Sequence, residues 1–236
     1  SPLATMNDTA PHGQCPQVAD NVESFRRLLR FARPNRTPIV YASSAATYGA
    51  VSGMSREADG AAPANVYAFS KVIMDNLARR AADGDPDWRI VGLRYFNVYG
   101  PCEAHKGVPA SMIYHLAQQM KDGKRPRIFK HGEQKRDFVY VKDAVEGSIR
   151  ALDANTSGIY NLGTGQARSF NELIEVLNEC LGTNLQPEYF DNPHAHYQNF
   201  TQADLTNARN ALRYEPRVSL QAGVRDYYHW FYPRYI

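Results

Sequence analysis

Apolar positions at Val18, Val22, Phe25, Leu28 and Leu29 recur three and four residues apart, the spacing of one helical face, and predict a helix that stops before Pro34. The next apolar run has no such period. "TPIVYASS" is short, continuous and partly β-branched, as in a strand buried on both faces of a parallel sheet, and it ends at Ser43 and Ser44. From Val66 to about Ala82 the helical period returns, closed by the Asp-Gly-Asp-Pro turn at 83 to 86. "RIVGLRYFNVYG" then reads as a second buried strand running into a loop at Gly100-Pro101. Helix, strand, helix, strand is the alternation of a doubly wound α/β sheet.

Beyond Pro101 the elements shorten. The pattern predicts a helix at about 110 to 122, strands near 127 to 130 and 137 to 140, and a helix at about 142 to 153. A strand at "GIYNLG" follows, then a helix opening at Ser169 with Glu172 three residues on, which is a capping box. A strand near 187 to 190 and two terminal helices complete a smaller α+β lobe interleaved with the sheet. Tyr228 and Phe231 with Val224 mark the buried face of the closing helix. The glycines of "NLGTG" are read as a turn, because the third glycine of a dinucleotide fingerprint is absent.

Composition narrows the function without naming it. The 236 residues are 43% hydrophobic and carry 27 basic against 24 acidic side chains, with the two signs interspersed, so nucleic acid is not the expected partner. The densest basic stretch, Lys121 to Arg136, is either an anion-binding edge or a solvated loop and strand. Cys15, Cys102 and Cys180 lie far apart and form neither a disulfide framework nor a zinc pattern, which fits a reducing compartment, cytoplasmic by default or an organelle matrix. His194 and His196 read as loop residues rather than metal ligands, and no metal is expected. No apolar run approaches a membrane span, and the first residues have neither a basic nor an apolar targeting region.

Chemistry enters at "NVYAFSK". Tyr67 and Lys71 stand four apart on the second predicted helix, so the ammonium lies near enough to favour ionisation of the phenol and make Tyr67 a base. About two dozen residues earlier, "SSAATYG" sets Ser43 and Ser44 at the carboxyl end of a strand, where open α/β sheets bind ligands. A serine, a tyrosine and a lysine together can hold a substrate alcohol, take its proton and steady the charge while its carbon is oxidised.

With these pieces the sequence resembles the extended short-chain dehydrogenase/reductase family, whose catalytic trio is Ser/Thr, Tyr and Lys in this order and spacing. Downstream, "RYFNVYGPCEAHKG", "KRDFVYVKD", "SGIYNLGTG" and "YQNFTQADLTN" are similar to one subgroup, the ADP-glycero-manno-heptose 6-epimerases, and the likeness runs from about Val18 to Tyr232. The resemblance implies a sugar-nucleotide epimerase that inverts a sugar carbon by transient oxidation with NADP or NAD. It makes Ser44, Tyr67 and Lys71 the trio, and Lys106 of the H-K-G triplet the acid/base on the opposite sugar face. Tyr67, Lys71, Val98 and Lys106 would contact the cofactor. Asn97, His115, Phe129 and Tyr197 would contact the nucleotide-sugar, with Arg136 as a diphosphate clamp or a structural ion-pair partner of Asp137 or Asp143.

Two positions depart from the subgroup. Asp20 falls where the family has a cofactor-side Asn, and Val108-Pro109 replaces a substrate-binding Ser followed by Met. Upstream of Ser43 nothing matches the strand, glycine-rich turn and helix that should receive a pyrophosphate, a segment of roughly 60 to 80 residues. The expectation is therefore a partial Rossmann-type sheet: 1–101 as the C-terminal part of an NAD(P)-binding domain and 102–236 as mainly the substrate lobe. A homo-oligomer, or a larger assembly, would cover the open sheet edge. The alternatives are a non-catalytic structural subunit derived from the family, or a related 4-epimerase or dehydratase. Dehydration is disfavoured because "SSAATYG" lacks the Asp-Glu pair those enzymes carry.

Overall fold

The computed structural model describes residues 16, 18–193 and 198–231; Cys15, His194, His196 and Tyr197 lie outside them. One π-helical turn, Ala19–Glu23, leads into α1 (Ser24–Ala32), whose Phe25, Leu29 and Ala32 are buried. Leu28, expected on the inner face, is 44% exposed. At about 100° per residue, Leu28 falls at the flank of the face that Phe25, Leu29 and Ala32 bury.

β1 (Ile39–Ser44) and β2 (Ile90–Tyr95) pair in parallel, from Ile39 opposite Ile90 to Ser44 opposite Tyr95. Between them runs α2 (Val66–Asp83), opened by the Asn65 side chain accepting from the Ala68 N–H at 2.8 Å. Ile39, Tyr41 and Ile90 bury one face of this sheet against Phe25, Leu29, Met74 and Trp88. Fully enclosed Leu93 and its neighbour Val91 point the other way, into a core with Tyr160 and Leu162. A side chain like Leu93 contributes roughly 1.5 to 3 kcal/mol by leaving water, so a strand apolar on both faces is held by both layers.

The run read as one strand is two. After β2 the chain breaks at Phe96, whose N–H donates to the Leu162 carbonyl, and β3 (Asn97–Tyr99) enters a second sheet. There it pairs in parallel with β5 (Lys135–Tyr140), which pairs antiparallel with β7 (Ala167–Ser169). Between β3 and β5 lie α3 (Met112–Lys121) and β4 (Arg127–Phe129). α4 (Val141–Leu152) then leads to β6 (Gly158–Leu162), which returns to the first sheet in parallel with β2 and gives the order β1-β2-β6. α5 (Phe170–Leu181) opens on the expected capping box. β8 (Glu188–Phe190) pairs with β4, and α6 (Thr206–Leu212) and α7 (Leu220–Phe231) close the chain. On α7 the ring buried beside Val224 is Tyr227, and Tyr228 is half-buried; the Phe231 side chain lies outside the described residues. No described helix is long and apolar enough to cross a membrane.

Candidate active site

Ser44 ends β1 in extended backbone and caps the 3-10 turn Ala45–Tyr48: its Oγ accepts from the Ala46 N–H at 3.1 Å, leaving the hydroxyl proton to donate elsewhere. The turn ends at Gly49, with φ of 70° and the Ala62 carbonyl against its Cα, so no side chain fits there. Tyr67, the second residue of α2, is half-buried beside this turn. Lys71, one turn on, is 5% exposed; its Nζ donates to the Ala42 carbonyl at 3.0 Å and lies 5.7 Å from the Tyr67 ring centroid. The strand end and the first turns of α2 thus bring the trio together.

The electrostatics differ from the expectation. Burial raises the Tyr67 phenol above its ordinary value, and the Ser44 hydroxyl pulls the other way. The lysine was expected to supply that pull, but its ammonium is itself pushed down to about 8 by burial, with Asp75 opposing. An ammonium bound to a strand carbonyl and lying over the ring does not offset the cost of a buried phenolate, so Tyr67 rests as a neutral acid.

Beneath the trio is a polar seam that sequence reasoning did not find. Asp75 is fully buried and accepts from the Tyr41 hydroxyl at 2.9 Å and from Arg94 at 3.1 and 3.0 Å. Arg94, 2% exposed, lays its guanidinium 4.6 Å from the Tyr48 ring centroid. Tyr41 reaches Asp75 by crossing Gly92, its partner on β2, where a Cβ would come within 2.6 Å of the phenol Cζ. A charged residue in the otherwise apolar "IVGLRY" was the available signal. In "VADNV" the buried polar residue is Asn21, and Asp20 is exposed; the Asn21 amide donates to the Ser70 hydroxyl at 2.8 Å, and Ser70 donates to the Tyr67 carbonyl at 2.7 Å.

A second group gathers around Glu103. This buried carboxylate accepts from the Ser111 N–H and hydroxyl at 2.8 and 2.6 Å and from the Tyr227 hydroxyl at 2.9 Å, and the half-exposed Lys106 Nζ stands 3.9 Å away. Val108 is 83% exposed, and the Ser-Met pair missing at 108–109 occurs at Ser111-Met112, where Ser111 caps α3. His115 Nε2 lies 3.1 Å from the Val108 carbonyl. Asn97 and Val98 leave the sheet just beyond Tyr95, which faces Ser44 in register, so they emerge at the trio's end; Asn97 Oδ1 accepts from Thr201 at 3.3 Å.

Arg136 is buried on β5, donates to the Lys135 carbonyl at 2.8 Å and faces Arg168 across the strand pair. Asp137 accepts from the N–H groups of Thr164, Gly165 and Ala203 and from the Thr164 hydroxyl, and Asp143 from the N–H groups of Arg217 and Val218. The "NLGTG" turn therefore spends its N–H groups on a carboxylate. Phe129 packs on Phe190 at 4.9 Å. Within the basic stretch, Arg125 donates to the carbonyls of Gln186 and Pro187, Arg127 pairs with Glu188 and Lys130 with Asp191, tying β4 to β8.

A family model described as NAD dependent epimerase/dehydratase matches residues 15–163. The ADP-L-glycero-D-manno-heptose-6-epimerase of Alkalilimnicola ehrlichii is 40% identical over 220 residues, covering 89% of this chain and 68% of that protein. The crystal structure of the Helicobacter pylori ADP-L-glycero-D-manno-heptose-6-epimerase superposes with a TM-score of 0.86 at 38% identity, over 95% of this chain and 69% of the other. UDP-glucuronic acid 4-epimerase from Bacillus cereus, solved with UDP-glucuronic acid and NAD, gives 0.82 at 25% identity, over 96% and 71%.

Proposed function

Since the chain belongs to the NAD dependent epimerase/dehydratase family, we propose that it inverts a carbon of a nucleotide-linked sugar by transient oxidation, most like ADP-glycero-manno-heptose 6-epimerase. The observation that carries this reading is the convergence of Ser44, Tyr67 and Lys71 at the carboxyl end of β1, with a phenol whose ionisation responds to the serine. NADP or NAD, when bound, supplies the reversible two-electron oxidation. The donor set fits its ribose end: the Lys71 ammonium has three donors and gives one to Ala42, and Tyr67 stands beside it, with Val98 and Lys106 as further contacts. The substrate lobe would hold the nucleotide-sugar through Asn97, His115, Phe129 and Tyr197, with Arg136 on the diphosphate.

On the Tyr67 face, Ser44 would hold the sugar oxygen; Tyr67 would first lose its own proton to solvent, the phenolate steadied by the Lys71 charge, then take the sugar hydroxyl proton as the alcohol is oxidised and give it back as the ketone is reduced. Inversion needs proton handling on the other face, and Lys106, half exposed on its loop, is the group we assign to it. Residues 1–101 would be the C-terminal part of the cofactor domain and 102–236 mainly the substrate lobe. A homo-oligomer or a larger assembly, in a reducing compartment where Cys102 and Cys180 stay free, completes the reading. Light scattering on the native protein measures that assembly.

The test is epimerisation of an ADP-heptose by the native polypeptide. Tyr67→Phe removes one hydroxyl and should cost about 100-fold or more; retention of more than about a tenth of the rate, a change under 1.4 kcal/mol, would remove Tyr67 from the chemistry. Arg136→Ala should weaken ADP-sugar binding about tenfold and leave the free sugar unaffected, as expected for a charge-assisted contact.

A further inference from the structure

The seam under α2 is unusual for a helix packed on a parallel sheet. Such seams are filled by apolar side chains, yet here a carboxylate with no exposure sits one turn below an ammonium that is also buried. Two strands converge on that carboxylate, Tyr41 from β1 and Arg94 from β2, while Lys71 is anchored on the residue after Tyr41. We infer that Asp75 is a positioning residue for the catalytic centre: it holds Lys71 in its charged form against burial and fixes the turn of α2 that aims it at Tyr67. This rests on the role proposed for Lys71.

The geometry argues for a field at Lys71 beyond a structural ion pair with Arg94. Asp75 and Lys71 are four apart on one helix face, where side chains are neighbours. The guanidinium that answers Asp75 donates to its Oδ2 and lies 4.6 Å from the Tyr48 ring centroid, while Tyr41 donates to Oδ1. The other titratable groups packed on this seam are phenols: Tyr41 on β1 is raised well above its ordinary value, chiefly by burial, Tyr48 is pushed up to about 12 for the same first reason, and Tyr67 is raised likewise. None of them supplies an anion at neutral pH. Arg79, farther along α2, acts on Tyr41 as a cation. Asp75 is thus the negative charge that faces Lys71 and opposes the fall of its ammonium to about 8.

The proposal is tested by titrating the Lys71 side chain itself, through the 13Cε resonance of lysine-labelled native protein, assigned with Lys71→Met. The wild-type midpoint is expected near 8. Asp75→Asn keeps the shape and removes the charge, and its midpoint should fall by about one pH unit or more, a tenfold smaller ammonium fraction in the alkaline range. Because Asn would leave Arg94 buried without its anion, and that cation would itself lower the midpoint, the double variant Asp75→Asn with Arg94→Gln provides a neutral background, in which a smaller fall in the same direction is expected. A midpoint within about 0.3 pH unit of wild type in a folded variant overturns the role. The alkaline limb of kcat/KM is measured in parallel. If the resonance moves and that limb does not, Asp75 holds the charge as inferred, and it is the assignment of Lys71 to turnover that fails.

Discussion

Two lysines enter the proposed reaction, and their surroundings could hardly differ more. Lys71 is 5% exposed, bonded to a strand carbonyl and flanked by a fully buried carboxylate, whereas Lys106 has a side chain 48% exposed on a 3-10 turn, 3.9 Å from Glu103. Burial pushes the first ammonium down to about 8, with Asp75 opposing; the second has its side chain half in water. In physical terms the Tyr67 face is preorganised and its electrostatics are interdependent, while the opposite face is a single charge on a loop whose backbone alone is fixed, through Glu103, Ser111 and Tyr227.

The largest expected effect would break the buried side. Asp75→Ala strands Arg94 without its anion, and loss of one member of a buried pair costs about 3 to 5 kcal/mol. A shift of the urea midpoint worth less than about 1 kcal/mol would show that Arg94 reaches water or another partner, and that the seam is looser than its geometry.

Next comes the pH dependence of stability. Lys71 releases its proton at about 8 when folded and near 10.5 when exposed, so between those values the unfolded chain binds more protons and the folded state gains stability as pH rises. The difference between wild type and Lys71→Met should therefore grow by roughly 3 kcal/mol from pH 8 to 10.5 in favour of the wild type. Parallel curves for the two proteins would mean that Lys71 is solvated. The smallest effect sharpens the exposed side: Lys106→Met should change unfolding free energy by no more than about 0.5 kcal/mol. In the same variant inversion of the sugar should be lost while dismutation of a 6-aldehyde analogue, which needs only the Tyr67 face, survives. Equal loss of both activities would return Lys106 to an ordinary loop residue.

Much of this scaffold was legible because its signals are local. The helix expected from Val66 to about Ala82 is Val66–Asp83, and the capping box of Ser169 and Glu172 sits where the two residues place it. The Tyr67 and Lys71 pair and the serines at the strand end were visible for the same reason, as an i to i+4 spacing and the close of an apolar run, whereas Ser44 over Ser43 and the grouping of the three came from the family resemblance. What escaped depends on rotation and on distant pairing. A single residue turns a helix by about 100°, so Tyr227 instead of Tyr228 is the smallest error a periodic reading makes. The break at Phe96 lies inside a run with strand-forming residues on both sides, where the polar Asn97 is the one local mark of a change of sheet. Asp75 and Arg94 acquire meaning only when β2 is laid beside α2.

The close approach of Tyr41 to Gly92 constrains the routes by which such a sequence can drift. Any larger residue at 92 collides with the phenol, and shortening Tyr41 to make room deprives Asp75 of a donor. A change at either position alone is therefore expected to cost stability, so a mutational path that passes through only one of them meets a valley, even though neither residue is assigned to the reaction.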